Sequence, residues 1–297
     1  MIPVAAAPYP LVLAHRGGSE EAPENTLAAF TRLSDLGFRY IETDVHLSAD
    51  GEVVVSHDET TDRTYGVPGK IRECTYAELA ELRNEADEPI PRLADVLAEL
   101  PHMYFVIDAK SDEVVEPLLE VLEETGASDR VMVASFSEKR LEKVRELGNP
   151  ELSTSLGIGA VVRLLLASET VSNAENWHVP GPRHRARAAQ VPEKNRGVRV
   201  VSPRFIATAH TAGLAVHVWT VNEREQMERL LDWGVDGIVT DRPTLLKEVL
   251  IERGQWGTNS GDIATEVVVP TEEAEGEAGG AGASGSAGET TEEDSGQ

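Results

Sequence analysis

The chain has 297 residues, of which 40% are hydrophobic, so it can bury a large core, and its single cysteine, Cys74, excludes an internal disulfide. The formal net charge is −25, and this acidic balance argues against a nucleic-acid binder, which needs a basic footprint. No apolar run approaches the roughly 18 residues of a membrane span. The first ten residues lack the basic segment of a signal peptide, so we expect a cytoplasmic protein.

Short β-rich runs alternate with helical patterns between residues 9 and 253. The first run, Leu11–Leu13, precedes a helix predicted over 25–36, after which Gly37 suits the left-handed residue beyond a helix end. The second strand is predicted over Tyr40–Leu47. The later elements are a helix over 93–100, a strand over 103–107, a helix over 114–124, a strand over 131–134, a helix over 137–147, a strand over 152–156, a helix over 205–211, a strand over 216–219, a helix over 223–233, a strand over 237–240 and a helix over 243–253. The sixth strand is either Ala188–Val191 or Val198–Val201.

Eight such repeats in 9–253 predict an α/β protein with the (β/α)8 architecture of a TIM barrel, a fold of about 250 residues. A doubly wound open sheet also alternates strands and helices. The barrel is favoured because polar residues gather where predicted strands end, which is where barrels place their sites. These residues are His15-Arg16, Glu42 with Asp44, Asp108 with Lys110, Ser135, Trp219 to Asn222, and Asp241.

Three stretches depart from this rhythm. Residues 58–90 form an insertion after the second strand, and residues 159–195 form an irregular stretch. From Gly254 to Gln297 there are ten acidic residues and no Lys or Arg, in a sequence rich in Gly, Ala, Ser and Glu. Such a composition has little to bury, so we expect a disordered acidic tail.

The stretch from Tyr40 to Asp58 contains the densest chemistry. Glu42 and Asp44 are two residues apart on a strand and therefore share one face, where paired carboxylates favour a shared proton or a bound cation. The pair Asp50-Gly51 predicts a hairpin turn that brings His57 back to the same end. His46 leans to the face of Asp44, but we expect little catalytic part for it. Two carboxylates and an imidazole suggest a metal-assisted hydrolytic site.

Other strand ends add groups whose meaning is open in isolation. His15 can transfer protons and Arg16 can bind an anion, although either could serve structure. Asp108 could be a third acidic ligand and Lys110 a phosphate contact, or the two could form an ion pair. Trp219 could contact substrate or belong to the core.

Glu24 stands near the start of the first helix, so its charge could simply favour the helix dipole.

In combination, these motifs resemble the glycerophosphodiester phosphodiesterase family over residues 10–253. The shared motifs are His15-Arg16-Gly17, Pro23-Glu24-Asn25-Thr26, Glu42-x-Asp44, Ser56-His57-Asp58, Asp108-x-Lys110 and Val218-Trp219-Thr220-Val221-Asn222. The resemblance implies a TIM barrel with an insertion after the second strand and one divalent cation, Ca²⁺ or Mg²⁺. Its implied ligands are Glu42, Asp44 and Asp108, the last standing where the family usually has the longer Glu.

The resemblance also implies roles for the other residues: His15 and His57 as the acid/base pair, Arg16 and Lys110 as phosphate contacts, Trp219 as a substrate contact and Glu24 as a supporting residue. The implied reaction is metal-dependent hydrolysis of a small glycerophosphodiester to an alcohol and glycerol 3-phosphate. The nucleophile is either the glycerol 2-hydroxyl, as is generally taken for the family, or water.

Two further hypotheses remain. The apolar run Val161–Leu166, the basic segment Arg183–Arg187 and the stretches 190–192 and 200–205 resemble features of members that cleave lysophospholipids, with transient contact to lysolipid or membrane. The other hypothesis, which the completeness of the catalytic set disfavours, is a non-catalytic barrel that binds phosphate. The sequence does not define the oligomeric state.

Overall fold

The structure, a computed structural model, describes residues 9–170 and 172–257, and it contains a closed barrel of eight parallel strands. The barrel strands are β1 (Leu11–His15), β2 (Tyr40–Leu47), β4 (Tyr104–Ala109), β5 (Val131–Ala134), β6 (Ser153–Ser155), β7 (Ala186–Pro192), β10 (Ala215–Trp219) and β11 (Gly237–Thr240). Their order follows the chain, and β1 pairs with both β11 and β2, so the ring of eight parallel strands is closed. The predicted (β/α)8 architecture is confirmed, and the open-sheet alternative is excluded.

Helices cover the outside of the barrel between successive strands. They are α1 (Leu27–Asp35), α4 (Leu93–Glu99), α5 (Val115–Glu124), α6 (Glu138–Leu147), α7 (Ile158–Glu169), α8 (Pro203–Thr211), α9 (Arg224–Trp233) and α10 (Pro243–Glu252), with short α2 (Asp62–Tyr65) and α3 (Tyr76–Leu79) in the insertion. Side-chain caps begin several of them; Thr26 accepts a hydrogen bond from Ala29 N at α1, and Ser137 accepts one from Arg140 N at α6. Gly37 has the expected positive φ of 80°.

Strand alternation separates two apolar layers. One side of each strand packs on the helices, as Ile41 and Val45 of β2 do. The other side fills the barrel interior with a smaller cluster: Leu11, Leu13, Tyr40, Val106, Met132, Ala134, Ala188, Ala215 and Val239. Along β2 the interior positions after Tyr40 are Glu42 and Asp44, so the lining changes from apolar to acidic toward the carboxyl end of the barrel.

The insertion begins as the predicted hairpin. β3 (Val53–Val55) pairs antiparallel with β2, and Gly51 adopts a φ of 90° in the turn. Beyond the hairpin, α2 and α3 pack through a separate small cluster of Val54, Tyr65, Ile71, Leu79 and Ile90. The hairpin therefore fixes the segment that contains His57 and Asp58 beside the end of β2.

Three details refine the sequence predictions. The sixth barrel strand is at Ala186–Pro192; the alternative at 198–201 instead contributes Val198–Arg199 (β9), which pairs with Lys194–Asn195 (β8) in a hairpin. The run 161–166 is helical within α7. Packing against the barrel continues past the domain boundary predicted after Arg253, because Trp256 packs edge-on against Phe38 with ring centroids 5.3 Å apart. The rest of the predicted tail, from residue 258, lies outside the described residues, within which no helix is long and apolar enough to cross a membrane.

Candidate active site

One cavity at the carboxyl ends of the strands collects eight of the nine site residues predicted from the sequence. Its lining includes His15, Arg16, Glu42, Asp44, His57, Asp108, Lys110 and Trp219. Glu24, the ninth, does not line the cavity. The lining also includes side chains that the sequence analysis did not assign to the site, chiefly Phe136, Ser155, Leu156 and Gln190. Their residue types indicate no distinctive chemistry; Phe136 and Leu156 follow β5 and β6, Ser155 ends β6, and Gln190 lies within β7.

A tight turn after β1 sets the first side of the cavity. Arg16, Gly17 and Gly18 all have positive φ, at 51°, 90° and 88°. A side chain at Gly18 would also collide with Pro243, whose Cγ would be 2.8 Å from the added Cβ. This turn requires glycine for both conformation and space, and it leaves His15 at the end of β1 and Arg16 just beyond it.

His15 is oriented by an aspartate that directly follows the last strand of the barrel. Its Nδ1 lies 2.6 Å from Asp241 Oδ1, and Asp241 also accepts hydrogen bonds from Ser19 and from Asn222 Nδ2 at 2.7 Å. Burial alone would raise the pKa of Asp241, but the hydrogen bonds from His15, Ser19 and Asn222 hold that pKa well below its usual range. An ionised Asp241 requires the proton of a neutral His15 to be on Nδ1, which leaves Nε2 toward Glu42 Oε2, 3.9 Å away.

His57 is oriented in the same manner on the opposite side. Its Nδ1 lies 2.7 Å from Asp58 Oδ1. Burial tends to raise the pKa of Asp58, but hydrogen bonds from Arg63 and His57 lower it overall, so the acceptor is an ionised carboxylate. His46 does not line the cavity; its Nε2 donates to the backbone oxygen of His57 at 3.1 Å. His46 therefore contacts the backbone of the segment that presents His57.

The three acidic residues predicted as metal ligands lie on adjacent strands, but the side chain of Lys110 lies between two of them. Lys110 Nζ lies 2.6 Å from Asp44 Oδ1 and 2.8 Å from Asp108 Oδ2. Arg16 Nε lies 3.5 Å from the other oxygen of Asp44. Within the described residues, no group of three or more His, Cys, Asp or Glu side chains is arranged to hold a metal ion. The ammonium group of Lys110 bridges two of the predicted ligands, as the ion-pair alternative for Asp108 and Lys110 anticipates.

Glu42 shows why the acidic set still suits a cation. Its Oε2 is buried and has no hydrogen-bond partner among the described residues. Burial, together with the nearby charges of Asp44 and Asp108, raises the pKa of Glu42 well above its usual value. A hard divalent cation would satisfy this oxygen and offset the repulsion, and carboxylates are the ligands that Ca²⁺ and Mg²⁺ prefer. The donor set therefore fits the group that the sequence implies.

Glu24 lies behind Arg16 and not within the first turn of α1, which contains no acidic residue. Its carboxylate accepts hydrogen bonds from Arg16 at 3.3 Å and from Arg63 at 2.7 and 2.9 Å. Burial raises its pKa, but these two arginines lower it overall. Contact with arginines, and not the helix dipole, accounts for the position of Glu24.

The remaining side of the cavity is uncharged. Trp219, at the end of β10, lies near Phe136, with ring centroids 6.0 Å apart and planes inclined at 45°. Phe136 is 58% exposed, and Trp219 is partly exposed while also packing on the barrel interior. Gln190 lines the same side, and its Nε2 is buried without a partner among the described residues. Charged residues thus lie on one side of the cavity, and aromatic and amide groups lie on the other.

The basic segment considered for lipid contact lies away from the cavity. Residues 183–185 lie immediately before β7, at the amino end of the barrel, and Arg185 donates to the backbone oxygens of Gly148 and Asn149. The cavity lies at the opposite end. The basic segment therefore does not line the cavity, and its contact with lipid stays a prediction.

Comparisons with known proteins agree with this geometry. A sequence profile of the "Glycerophosphoryl diester phosphodiesterase family" matches residues 15–245. The chain is 38% identical over 247 residues to "Probable glycerophosphodiester phosphodiesterase 2" of Mycobacterium tuberculosis, covering 83% of this chain and 92% of the relative. It is 33% identical over 258 residues to the glycerophosphodiester phosphodiesterase of Caldanaerobacter subterraneus subsp. tengcongensis, covering 82% and 99%.

A solved structure shares the fold. The glycerophosphodiester phosphodiesterase of Thermotoga maritima superimposes with a TM-score of 0.64 at 27% identity, covering 81% of this chain and 98% of that one. The segment matched by the family profile begins at His15 and contains every residue that lines the cavity.

Proposed function

This chain belongs to the glycerophosphoryl diester phosphodiesterase family and is a phosphoric diester hydrolase, and on that premise we propose that it hydrolyses glycerophosphodiesters to an alcohol and glycerol 3-phosphate. One observation carries the proposal. A single cavity brings together two histidines, each with an Nε2 that makes no hydrogen bond to a carboxylate, and two cationic side chains suited to bind a phosphate.

His15 and His57 are the acid/base pair. Each directs Nδ1 to an aspartate, so each presents Nε2 as the atom available for proton transfer. One histidine takes the proton of the attacking oxygen, and the other gives a proton to the departing alkoxide. Because an alkoxide is a poor leaving group, the second transfer is as necessary as the first.

Arg16 and Lys110 bind the phosphodiester. Both are cations on the cavity wall, and each already faces Asp44, so they are held in place before substrate arrives. Positive charge fixed beside the phosphoryl oxygens stabilises the negative charge that grows on them in the transition state. Trp219 and Phe136 supply an aromatic wall for the glycerol or the leaving alcohol.

A divalent cation, Ca²⁺ or Mg²⁺, completes the proposal, held by Glu42 and Asp44 with Asp108 as a third ligand. When bound, it supplies further positive charge for the phosphoryl oxygens. The buried, unpartnered Oε2 of Glu42 supports this assignment.

A substrate panel with different divalent ions tests the proposal. Glycerophosphocholine, glycerophosphoethanolamine and glycerophosphoglycerol are incubated with the enzyme in Ca²⁺, Mg²⁺ or chelator, and glycerol 3-phosphate is measured. We expect release that requires a divalent ion and is lost in His57→Ala. A protein that retains metal and phosphate but cleaves no diester would instead be the non-catalytic barrel and would overturn the proposal.

Lysophospholipids are a second candidate substrate class. The mouth of the barrel exposes apolar side chains: Phe136 is 58% exposed, and Ile158 at the start of α7 is 57% exposed. Val162 and Leu166 continue the exposed stripe at helical spacing along α7. An acyl chain could rest on this surface while the phosphate occupies the cavity. Comparison of glycerophosphocholine with lysophosphatidylcholine decides between the two, and absence of lysolipid turnover and of vesicle binding removes this candidate.

A further inference from the structure

Arg63 lies in the insertion and outside the cavity, on the one-turn helix α2. The helix is fixed by its neighbours: Tyr65 is buried in the cluster of the insertion, and the hydroxyl of Thr61 donates to the backbone oxygen of Val67 at 2.6 Å. Gly66 ends the helix in the left-handed conformation, with φ of 68°. The backbone of Arg63 is therefore held by apolar packing and hydrogen bonds that do not involve its side chain.

The guanidinium of Arg63 joins two carboxylates that come from different parts of the fold. Its Nη1 and Nη2 donate to the two oxygens of Glu24 at 2.9 and 2.7 Å, a bidentate arrangement. Its Nε donates to Asp58 Oδ2 at 2.5 Å. In the described part of the chain, Oδ2 of Asp58 and Oε2 of Glu24 accept a side-chain hydrogen bond from Arg63 alone.

Each of these carboxylates uses its other oxygen to hold a group of the site. Asp58 Oδ1 contacts His57 Nδ1 at 2.7 Å. Glu24 Oε1 accepts a hydrogen bond from Arg16 Nη1 at 3.3 Å. One guanidinium thus connects a proton-transfer residue and a phosphate-binding residue that stand on separate segments of the cavity wall.

We propose that Arg63 is a positioning residue, which acts through Asp58 on the imidazole of His57 and through Glu24 on the guanidinium of Arg16. The proposal rests on the function proposed above. Arginine is required because only its planar fork presents donors to both carboxylates at once; lysine offers a single nitrogen.

The alternative is an ion pair that serves stability alone, and exposure argues against it. The side chain of Arg63 is 49% exposed, and ion pairs at that exposure contribute little to the free energy of unfolding. The same contacts have a larger effect on chemistry, because a displacement of roughly 1 Å in a reacting group can cost on the order of 100-fold in rate. Arg63 should therefore matter more to turnover than to folding.

Kinetics of Arg63→Ala test the proposal, with Arg72→Gln as the matched control. Arg72 is an arginine of the same insertion, 72% exposed, whose ion-pair partner is Glu73 and not a residue of the site. We expect kcat/KM for glycerophosphocholine to fall on the order of 100-fold in Arg63→Ala, with kcat lowered through His57 and KM raised through Arg16. Arg72→Gln should match the wild type, and both variants should unfold at about the same temperature.

Two further variants separate positioning from structure. Arg63→Lys keeps the charge but not the fork, so we expect a loss intermediate between Arg63→Ala and the wild type. In Asp58→Asn, adding Arg63→Ala should lower kcat much less than it does in the wild type, because both changes act on the same imidazole. Full turnover in Arg63→Ala, or a loss matched by Arg72→Gln, would overturn the proposal.

A measurement without substrate keeps this result distinct from failure of the proposed function. The ¹⁵N NMR signals of the His57 ring report which nitrogen carries the proton. We expect an Nδ1-protonated ring in the wild type and in Arg72→Gln, and a mixture of tautomers in Arg63→Ala. If no diester is cleaved by the wild type, the proposed function fails while this spectrum still tests the contact; identical spectra in all three proteins would overturn the positioning role.

Discussion

His15 Nδ1 and Asp241 Oδ1 lie 2.6 Å apart, although 226 positions separate the two residues in the chain. The contact exists because β1 and β11 are neighbours at the seam where the barrel closes. Across the cavity, His57 makes the equivalent contact with Asp58, its neighbour in sequence. Two imidazoles are thus oriented by the same chemistry, one through the closure of the fold and the other through a local turn.

Asp241→Asn should impair catalysis without unfolding the protein. The amide is uncharged, so it no longer favours the tautomer with the proton on Nδ1 of His15 and no longer stabilises a protonated ring. We expect kcat to fall at least about 100-fold, the size of a general acid–base contribution. Steady-state kinetics on glycerophosphocholine measure the loss. Asp232→Asn, which affects an exposed ion pair with Arg253, is the control, and equal activity in the two variants would refute the role of Asp241.

Removal of divalent ions should abolish turnover. The oxygen of Glu42 that lacks a partner is buried among carboxylates, so we expect a cation there to contribute about 100-fold or more, equivalent to several kcal/mol. Chelator should remove activity, and added Ca²⁺ or Mg²⁺ should restore it. Calorimetry on Glu42→Gln should show weakened ion binding, whereas Glu52→Gln, on the exposed hairpin, should bind as the wild type does. Undiminished turnover in chelator would contradict the metal assignment.

His217 should make stability depend on pH in the acid range. It is fully buried in the barrel, and burial lowers its pKa to about 4 from an ordinary value of 6.5. Above pH 6.5 both folded and unfolded states hold a neutral ring. Between pH 6.5 and 4 only the unfolded state binds the proton, so the free energy of unfolding decreases as pH falls, by roughly 3 kcal/mol in total.

Urea unfolding at pH 7 and pH 4.5 tests this expectation in His217→Leu. The leucine cannot titrate, so the variant should lose less free energy of unfolding between the two pH values than the wild type does. His184→Gln, at an exposed position, should keep the wild-type difference. The same decrease in all three proteins would show that the protonation of His217 does not contribute.

Gly18→Ala should be more damaging than Gly51→Ala, although the two glycines have nearly equal φ of 88° and 90°. An alanine at either position strains the backbone, at a cost on the order of 1–3 kcal/mol. At Gly51 the added Cβ meets nothing within 4 Å, whereas at Gly18 it meets Pro243 at 2.8 Å. We expect Gly18→Ala to be the less stable variant and to lose activity, because the turn presents His15 and Arg16. Similar thermal midpoints and activities in the two variants would contradict this account of the turn.

The barrel could be predicted from the sequence because hydrophobic periodicity and the glycines that end helices are local signals. Tyr40–Leu47 has the same bounds in the structure as in the prediction, and Glu42 and Asp44 share a face because alternation in a strand leaves no other arrangement. The sixth strand was ambiguous because Val198–Val201 is also β-rich. Arg196 and Gly197 have positive φ, and they turn that segment into a hairpin.

The contacts that orient the site were less accessible to sequence reasoning. The sequence showed Asp241 as a polar residue at a strand end, but its partner, His15, becomes its neighbour only when the barrel closes. Arg63 lies in the insertion, where neither periodicity nor spacing relates it to Glu24, 39 positions away. Gln190 reaches the cavity through its position in β7 and Phe136 through the segment that follows β5, and their residue types alone indicate no function.

The central claim is that His15 and His57 transfer protons in the cleavage of a phosphodiester. The most direct test compares kcat/KM of His15→Ala and His57→Ala on glycerophosphocholine and on the p-nitrophenyl ester of glycerol 3-phosphate, whose leaving group needs no proton. We predict that both variants lose about 100-fold or more on the choline diester and that one of them, the variant without the general acid, recovers most of this loss on the p-nitrophenyl ester. Wild-type turnover of the choline diester by either variant, or equal losses on both substrates in both variants, would contradict the claim.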